Sequence, residues 1–239
     1  MNKLILLIVS LATVGVLGLW SISRKEPEAP EVSKFLNENM ISLPEPKLKS
    51  DVSLEEAIVK RRSQREFLDK PLSLEELSQL LWVAQGITDP QSGFRAAPSA
   101  GALYPLEIYV VVSKSGVENL DMGAYHYIPD GHKLELHVKE DVKEELFAAS
   151  LSQEAVLQAP LSLVITADYE RTTVKYGDRG TRYVWLEAGH AAQNIYLEAT
   201  ALGLGTVVLG AFDEEGVTRV LQLPLDNKPL YVMPVGYPE

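Results

Sequence analysis

The stretch Lys175–Gly205, KYGDRGTRYVWLEAGHAAQNIYLEATALGLG, most limits what this chain can fold into. It opens with a polar, glycine-broken segment, Lys175-Tyr176-Gly177-Asp178-Arg179-Gly180, which reads as a loop. Roughly twenty residues follow that are free of proline and carry Gly189 as their one internal glycine, enough for a helix about 30 Å long at about 1.5 Å per residue. Gly203 stands where a left-handed C-cap belongs. Ala188, Ala191, Ala192 and Ala199 keep the helix thin, so neighbours can approach closely. Val184, Trp185, Leu186, Ile195, Tyr196 and Leu197 spread apolar surface round most of the circumference, which marks a buried helix. Glu187, His190, Asn194 and Glu198 recur as a single polar stripe, and buried polar groups need partners. The pattern predicts a central core helix whose stripe meets a subunit boundary or solvent. The loop before it would carry Lys175, Tyr176 and Arg179 toward a site.

The totals narrow the class. With 46% hydrophobic residues in 239, a well-buried core is within reach. The net charge of −11 argues against general nucleic-acid binding, which needs a positive footprint. The absence of cysteine excludes disulfides, thiol nucleophiles and cysteine metal sites. After Lys3, the run Leu4–Ile22 carries no charge and is long enough to cross a bilayer. Residues 1–22 are expected to be a transmembrane anchor, with the domain outside the cytoplasm, or a signal segment whose cleavage would release a secreted protein. Residues 23–50, with Pro27, Pro30, Pro44 and Pro46 among Glu and Lys, read as an extended tether. Residues 51–239 read as one domain.

Within that domain the elements follow from local signals. Ser53 with Glu56 and Ser73 with Glu76 are capping boxes that start two helices. The first is expected to run from Leu54 to about Arg65, which puts Arg61 and Arg65 on one face. Arg61, Arg62 and Arg65 beside Ser63 stand out in an acidic chain, and guanidinium forks with a hydroxyl suit a phosphate; a solvated basic helix end explains them equally well. Small residues and prolines over Arg95–Pro105 make a tight loop able to lie against a planar ring. Strands are expected over Leu106–Val112, Leu161–Ala167, Thr206–Leu209 and Pro229–Gly236, and a hairpin over Gly123–Ile128 and Lys133–Val138. Short helices are expected at 142–149, 152–157 and 214–221. The sum is α+β: a central, mostly antiparallel sheet of about five strands flanked by helices.

Several stretches, in this order, resemble the nitroreductase family of FMN-dependent oxidoreductases. They are Arg61-Arg62-Ser63-x-Arg65-x-Phe67, Pro98-Ser99-Ala100-Gly101-Ala102-Leu103-Tyr104-Pro105, Lys175-Tyr176-Gly177-x-Arg179-Gly180-x-Arg182-Tyr183, Leu186-Glu187-Ala188-Gly189-His190-x-x-Gln193-Asn194 and Gly210-Ala211-Phe212-Asp213. The likeness spans about residues 53–238 and is nearest to the SagB-type dehydrogenase branch, which includes azoline oxidases. It implies a homodimer with FMN between subunits and NAD(P)H as a possible donor. Arg61, Arg62 and Ser63 would hold the phosphate and ribityl chain, and Arg65 the charged edge of the ring. Pro98, Ser99, Ala100 and Gly101 would line the ring, and Leu209-Gly210 would approach its hydride-exchanging nitrogen. Lys175 and Tyr176 would be the catalytic pair, acting on a small-molecule or peptide-derived substrate. Ala102 and Tyr104 stand where many nitroreductases carry Asn and Gln.

Other constellations carry less. Glu187-x-x-His190 lacks the companion motifs of a di-iron site, so no metal is expected. The resemblance demotes Glu187 and His190 to structural hydrogen-bonders and turns the polar stripe toward a partner subunit. A membrane-tethered flavin-binding or sensor module without turnover is the alternative function.

Overall fold

In Leu106–Val112, LEIYVVV, residues of either parity are apolar, so the strand buries both faces. Ile108, Val110 and Val112 enter one hydrophobic cluster, whereas Tyr109 and Val111 enter another. That alternation places the strand mid-sheet with a core on each side.

The computed structural model describes residues 39–239. Its strands are β1 (Met40–Ser42), β2 (Ile87–Asp89), β3 (Phe94–Arg95), β4 (Leu106–Val112), β5 (Gly123–Ile128), β6 (Lys133–Val138), β7 (Leu161–Asp168), β8 (Gly205–Thr206) and β9 (Asn227–Gly236). Its helices are α1 (Leu54–Lys60), α2 (Leu74–Gln85), α3 (Lys143–Ala149), α4 (Glu154–Gln158), α5 (Glu170–Tyr176), α6 (Arg179–Ala201) and α7 (Glu214–Val220). Seven strands form one sheet in the order β1-β6-β5-β4-β7-β9-β8, and every pairing in it is antiparallel. β2 and β3 make a separate small hairpin. Leu77, Leu80, Leu81 and Ala84 of α2 and Val184, Ala188, Ala191 and Ile195 of α6 cover one face. Leu146, Val156, Val217 and Leu221 of the shorter helices cover the other.

Four sequence expectations are corrected here. First, the sheet has seven strands instead of about five. The strand of that sheet with no counterpart among the expected ones, β1, lies inside the stretch read as tether. Leu43 beyond it is buried, the Ser78 hydroxyl donates to the Pro44 carbonyl at 2.5 Å, and the Lys47 amide donates to Gln79 Oε1 at 2.8 Å. Prolines bar helix there but permit an edge strand.

Second, α1 stops at Lys60, so Arg61 and Arg65 do not share a helical face. The chain turns extended because Ser63 bridges to Thr206 and the Gln64 amide donates to the Thr206 carbonyl at 2.9 Å. Third, Lys175 and Tyr176 are the last turn of a helix, α5, and the break follows at Gly177.

Fourth, the polar stripe of α6 points inward. The Asn194 amide donates to the Val83 carbonyl of α2 at 3.0 Å. Glu187 is 3% exposed, and Glu198 is part-buried beside Gln79. Only His190 is exposed, and the open face is instead Arg182, Trp185, Leu186, Gly189, His190 and Gln193. The helix closes as expected, with Gly203 at φ 74°. The Leu204 amide reaches back to the Ala199 carbonyl at 2.7 Å, and the Gly203 amide to that of Thr200 at 3.2 Å, a Schellman closure.

Among the described residues no helix is long and apolar enough to cross a membrane. The expected anchor, residues 1–22, lies outside the described residues, as does most of the expected tether.

Candidate active site

The predicted residues fall into two groups at opposite ends of α6. One group surrounds the loop Pro98–Tyr104. Gly101 has φ 67°, and the non-glycine residues Ala102 and Tyr104 have φ 54° and 49°. Left-handed backbone at non-glycine positions costs about 1–3 kcal/mol each and persists only where the surroundings impose it. The constraints are visible. The Tyr104 amide donates to Ser99 Oγ at 2.9 Å and the Arg95 amide to the Tyr104 hydroxyl at 3.1 Å. The Arg95 guanidinium lies 4.7 Å from the centre of the Tyr104 ring. Arg171 donates to the Tyr104 carbonyl at 3.2 Å.

Lys175 and Tyr176 are brought against this loop by α5. A side chain built at Gly101 would stand 2.7 Å from the Tyr176 hydroxyl and 2.8 Å from Lys175 Nζ. Glycine is therefore favoured at 101 by backbone angle, and a side chain there would displace the ends of Tyr176 and Lys175. Tyr176 packs edge-on against Tyr183 of α6, ring centres 5.2 Å apart, which orients its hydroxyl.

Behind the pair lies a charge network absent from the sequence reading. Arg171 of α5 pairs with Glu107 of β4 at 2.5 Å and with Asp168 of β7 at 3.2 Å. His126 Nε2 meets the other Glu107 oxygen at 2.8 Å. Burial alone would raise the Glu107 carboxyl, but His126 and the Arg171 charge outweigh it and hold the group below the ordinary carboxylate range. The network ties α5 to the sheet and so places Lys175 and Tyr176. No sequence motif announces it, because its members lie far apart along the chain.

The second group surrounds Tyr196. Its hydroxyl accepts from the Val208 amide at 2.8 Å and lies 3.1 Å from Ser63 Oγ. The Arg61 guanidinium sits 5.2 Å from its ring centre. Arg62 donates to the Val59 and Arg61 carbonyls at 2.9 and 2.7 Å, and Arg65 is exposed. Among the described residues none of these three arginines has a carboxylate within ion-pair distance. Thr206, 1% exposed, has a hydroxyl without a partner beside the Ser63 bridge. Leu209 exchanges both backbone hydrogen bonds with Val232, at 2.9 and 3.0 Å, so the exposed backbone there belongs to Gly210. Unpaired guanidinium groups with a Ser hydroxyl and a neighbouring orphan hydroxyl fit a phosphate monoester, and an open glycine beside them fits a flat ring. Tyr196, which organises this group, looked like one more apolar residue of the helix.

Tyr183 and Tyr196 mark the two groups and are thirteen positions apart on α6, about 20 Å at 1.5 Å per residue. Within one chain the groups do not merge. Three of the four histidines have partners: His126 is in the Glu107 network, His132 meets Ser78 and Tyr127, and His137 lies near the Gln222 carbonyl.

An antiparallel sheet between a long thin helix and shorter ones, with an arginine group and a Lys-Tyr pair at the ends of that helix, defines an α+β class. Comparison with known proteins identifies it: residues 58–237 match the nitroreductase family model, and the chain belongs to that family. A protein of Methanocaldococcus jannaschii named for the same family, MJ1384, is 50% identical over 186 residues, 78% of this chain and 91% of its own. The microcin B17-processing protein McbC of Escherichia coli is 32% identical over 161 residues, 66% of this chain and 59% of McbC. A crystal structure from Ralstonia eutropha JMP134, also named for the nitroreductases, superposes with TM-score 0.75 at 31% identity, covering 84% of this chain and 90% of that one. The E. coli microcin synthetase McbBCD complex with truncated pro-MccB17 bound contains a chain similar at TM-score 0.68 and 26% identity, covering 95% of this chain and 85% of that one. The protein is thus a nitroreductase-family oxidoreductase with relatives of the McbC type.

Proposed function

We propose that the protein is an FMN-dependent oxidoreductase that carries hydride equivalents from NAD(P)H or an organic donor to an acceptor. The observation that carries this reading is the pairing of two rigid half-sites on one helix, an anion-suited group at Tyr196 and a Lys-Tyr group at Gly101. FMN, when bound, supplies the centre that accepts and returns hydride. Arg61, Arg62 and Ser63 hold its phosphate, and Arg65 supplies positive charge where the reduced ring gathers negative charge. Pro98–Gly101 give the flat wall, and Gly210 leaves the backbone open for close approach. Lys175 and Tyr176 move the proton of the organic substrate, with Arg171 and Glu107 fixing the helix that presents them.

A second copy is part of the reading. The half-sites are about 20 Å apart in one chain, and a two-fold partner brings the Arg61 group of one subunit to the Gly101 loop of the other. Trp185 and Leu186, 57% and 52% exposed on the open face of α6, and Leu54, Ile58 and Val59 on α1 supply apolar surface for it. Likeness to the microcin-processing relatives favours a peptide-derived heterocycle as the organic substrate. The apolar run Leu4–Ile22 tethers the domain to a membrane in the same reading, which fractionation of cells expressing the full chain tests.

Purified full-length protein should be yellow, hold FMN stoichiometrically and be reduced by a donor in stopped-flow mixing. Lys175→Ala and Tyr176→Phe should each lower turnover by about 10²-fold or more while leaving FMN bound. A colourless protein that takes up no FMN overturns the reading. A bound flavin that no donor reduces points to the non-catalytic module instead.

A further inference from the structure

The turn between α3 and α4 meets the loop after Leu209 through one side chain. Leu151 and Ser152, neither of them glycine, have φ 57° and 53°. Two successive left-handed residues persist only where the surroundings impose them, and such strain gathers beside functional sites. The Ser150 amide donates to the Leu146 carbonyl at 2.8 Å and the Ser152 amide to the Phe147 carbonyl at 3.0 Å, so the chain reverses sharply after α3. The reversal brings Gln153 back over the turn. Its Nε2 donates to the Ser150 carbonyl at 3.0 Å and, 58 positions away, to the Ala211 carbonyl at 2.9 Å. Carbonyl oxygens only accept, so the amide nitrogen must face them, and both of its protons are used.

Ala211 lies in the segment Gly210-Ala211-Phe212-Asp213, whose two ends are fixed by backbone. Leu209 is tied to Val232 in both directions, and the Asp213 amide donates to the Ala149 carbonyl at 2.8 Å. Phe212 packs against the core under the shorter helices. The amides of Gly210, Ala211 and Phe212 have no backbone acceptor among the described residues. Gln153 is thus the polar hold on the middle of the segment. A side chain at Gly210 would meet only the Tyr231 ring, at 3.8 and 4.0 Å, which is ordinary contact, and the residue is not left-handed. Neither space nor angle within the chain asks for glycine there, whereas close approach of another molecule to the backbone does. We propose that Gln153 is a positioning residue for the half-site at Tyr196: by holding the Ala211 carbonyl against the Ser150 carbonyl, it keeps the exposed Gly210-Ala211 backbone in one conformation, open to the flat ring that lies on it. The identity of that ring rests on the FMN reading; the hold on Ala211 does not.

The test uses the full-length protein with Gln153→Met, which keeps the length of the side chain but has no donor, and Gln153→Lys, which returns donors at similar reach. Without cofactor, the Asp213 amide should exchange for deuterium about five-fold faster in Gln153→Met, the worth of about one neutral hydrogen bond. In Gln153→Lys it should exchange near the wild-type rate, a rescue that mere filling of space would not give. FMN affinity, followed by flavin fluorescence and compared between the wild type and Gln153→Met because both side chains are uncharged, should weaken about five-fold in the variant. Unchanged Asp213 exchange in Gln153→Met, or a Gln153→Lys protein that exchanges as fast as Gln153→Met, overturns the hold on Ala211. Faster exchange with wild-type FMN affinity overturns the role of Gln153 in the site. A wild-type protein that binds no FMN removes the FMN reading, and the exchange comparison still decides whether Gln153 holds the loop. Thermal unfolding of each variant checks that it folds.

Discussion

At the scale of single residues, Gly101 and Glu187 make the clearest demands. Gly101→Ala forces a side chain into left-handed backbone and into the Tyr176 hydroxyl. It should cost about 1–2 kcal/mol of stability, measured by urea unfolding, and should lower turnover more than FMN affinity. Glu187 links stability to pH. Its folded pKa, about 7, lies above the ordinary 4.5, so the unfolded chain releases this proton first as pH rises. Its contribution is intact below about pH 4.5 and is lost as pH rises toward 7. Glu187→Gln should therefore flatten the fall of melting temperature between those values. His132 works in the opposite sense. Burial lowers its pKa from 6.5, so stability holds above that pH and falls as the solution is acidified below it. The Arg61 and Pro98 groups stand out in the sequence by composition, and their roles were expected there from the family resemblance. The roles of Glu187, Tyr196 and Thr206 were not, because an orphaned or shared hydroxyl is defined by its neighbours.

At the scale of elements, the strap β1 and the corner at Gly177 matter most. The strap is pinned by Ser78, whose hydroxyl donates to the Pro44 carbonyl and therefore accepts from His132 Nε2 at 2.7 Å. Tyr127 then donates to His132 Nδ1 at 2.8 Å. Ser78→Ala leaves a part-buried acceptor and a part-buried donor unpaired and should cost about 1 kcal/mol. Hydrogen exchange should quicken first at the Leu136 amide, which pairs with Asn39. Helix interiors, hairpin and central strands followed from periodicity and capping, and most agree with the structure to within a residue or two. The elements that departed do so for long-range reasons. Arg61–Arg65 leaves the helix because Thr206 offers backbone partners, and Met40–Ser42 becomes a strand because β6 presents an open edge.

At the scale of the whole molecule, the proposed function brings the two half-sites together through a second copy. Trp185→Glu with Leu186→Glu should convert a dimer to monomer in analytical ultracentrifugation and release FMN, while the far-ultraviolet circular dichroism stays near that of the wild type, because both side chains lie on the open face. A protein that remains dimeric and loaded would place the interface elsewhere. The sequence by itself determined the α+β class, a buried long helix, the phosphate-suited arginines, the glycine loop and the nitroreductase resemblance, because composition, periodicity and local motif are properties of neighbouring residues. Tertiary structure alone decided that the polar stripe turns inward and that an apolar face is left open. It also decided that Lys175 and Tyr176 stand against Gly101, and that one carboxyl oxygen of Glu187 is buried without a partner. Each of these depends on contacts between residues tens to more than a hundred positions apart, which packing on the sheet creates and no local pattern encodes.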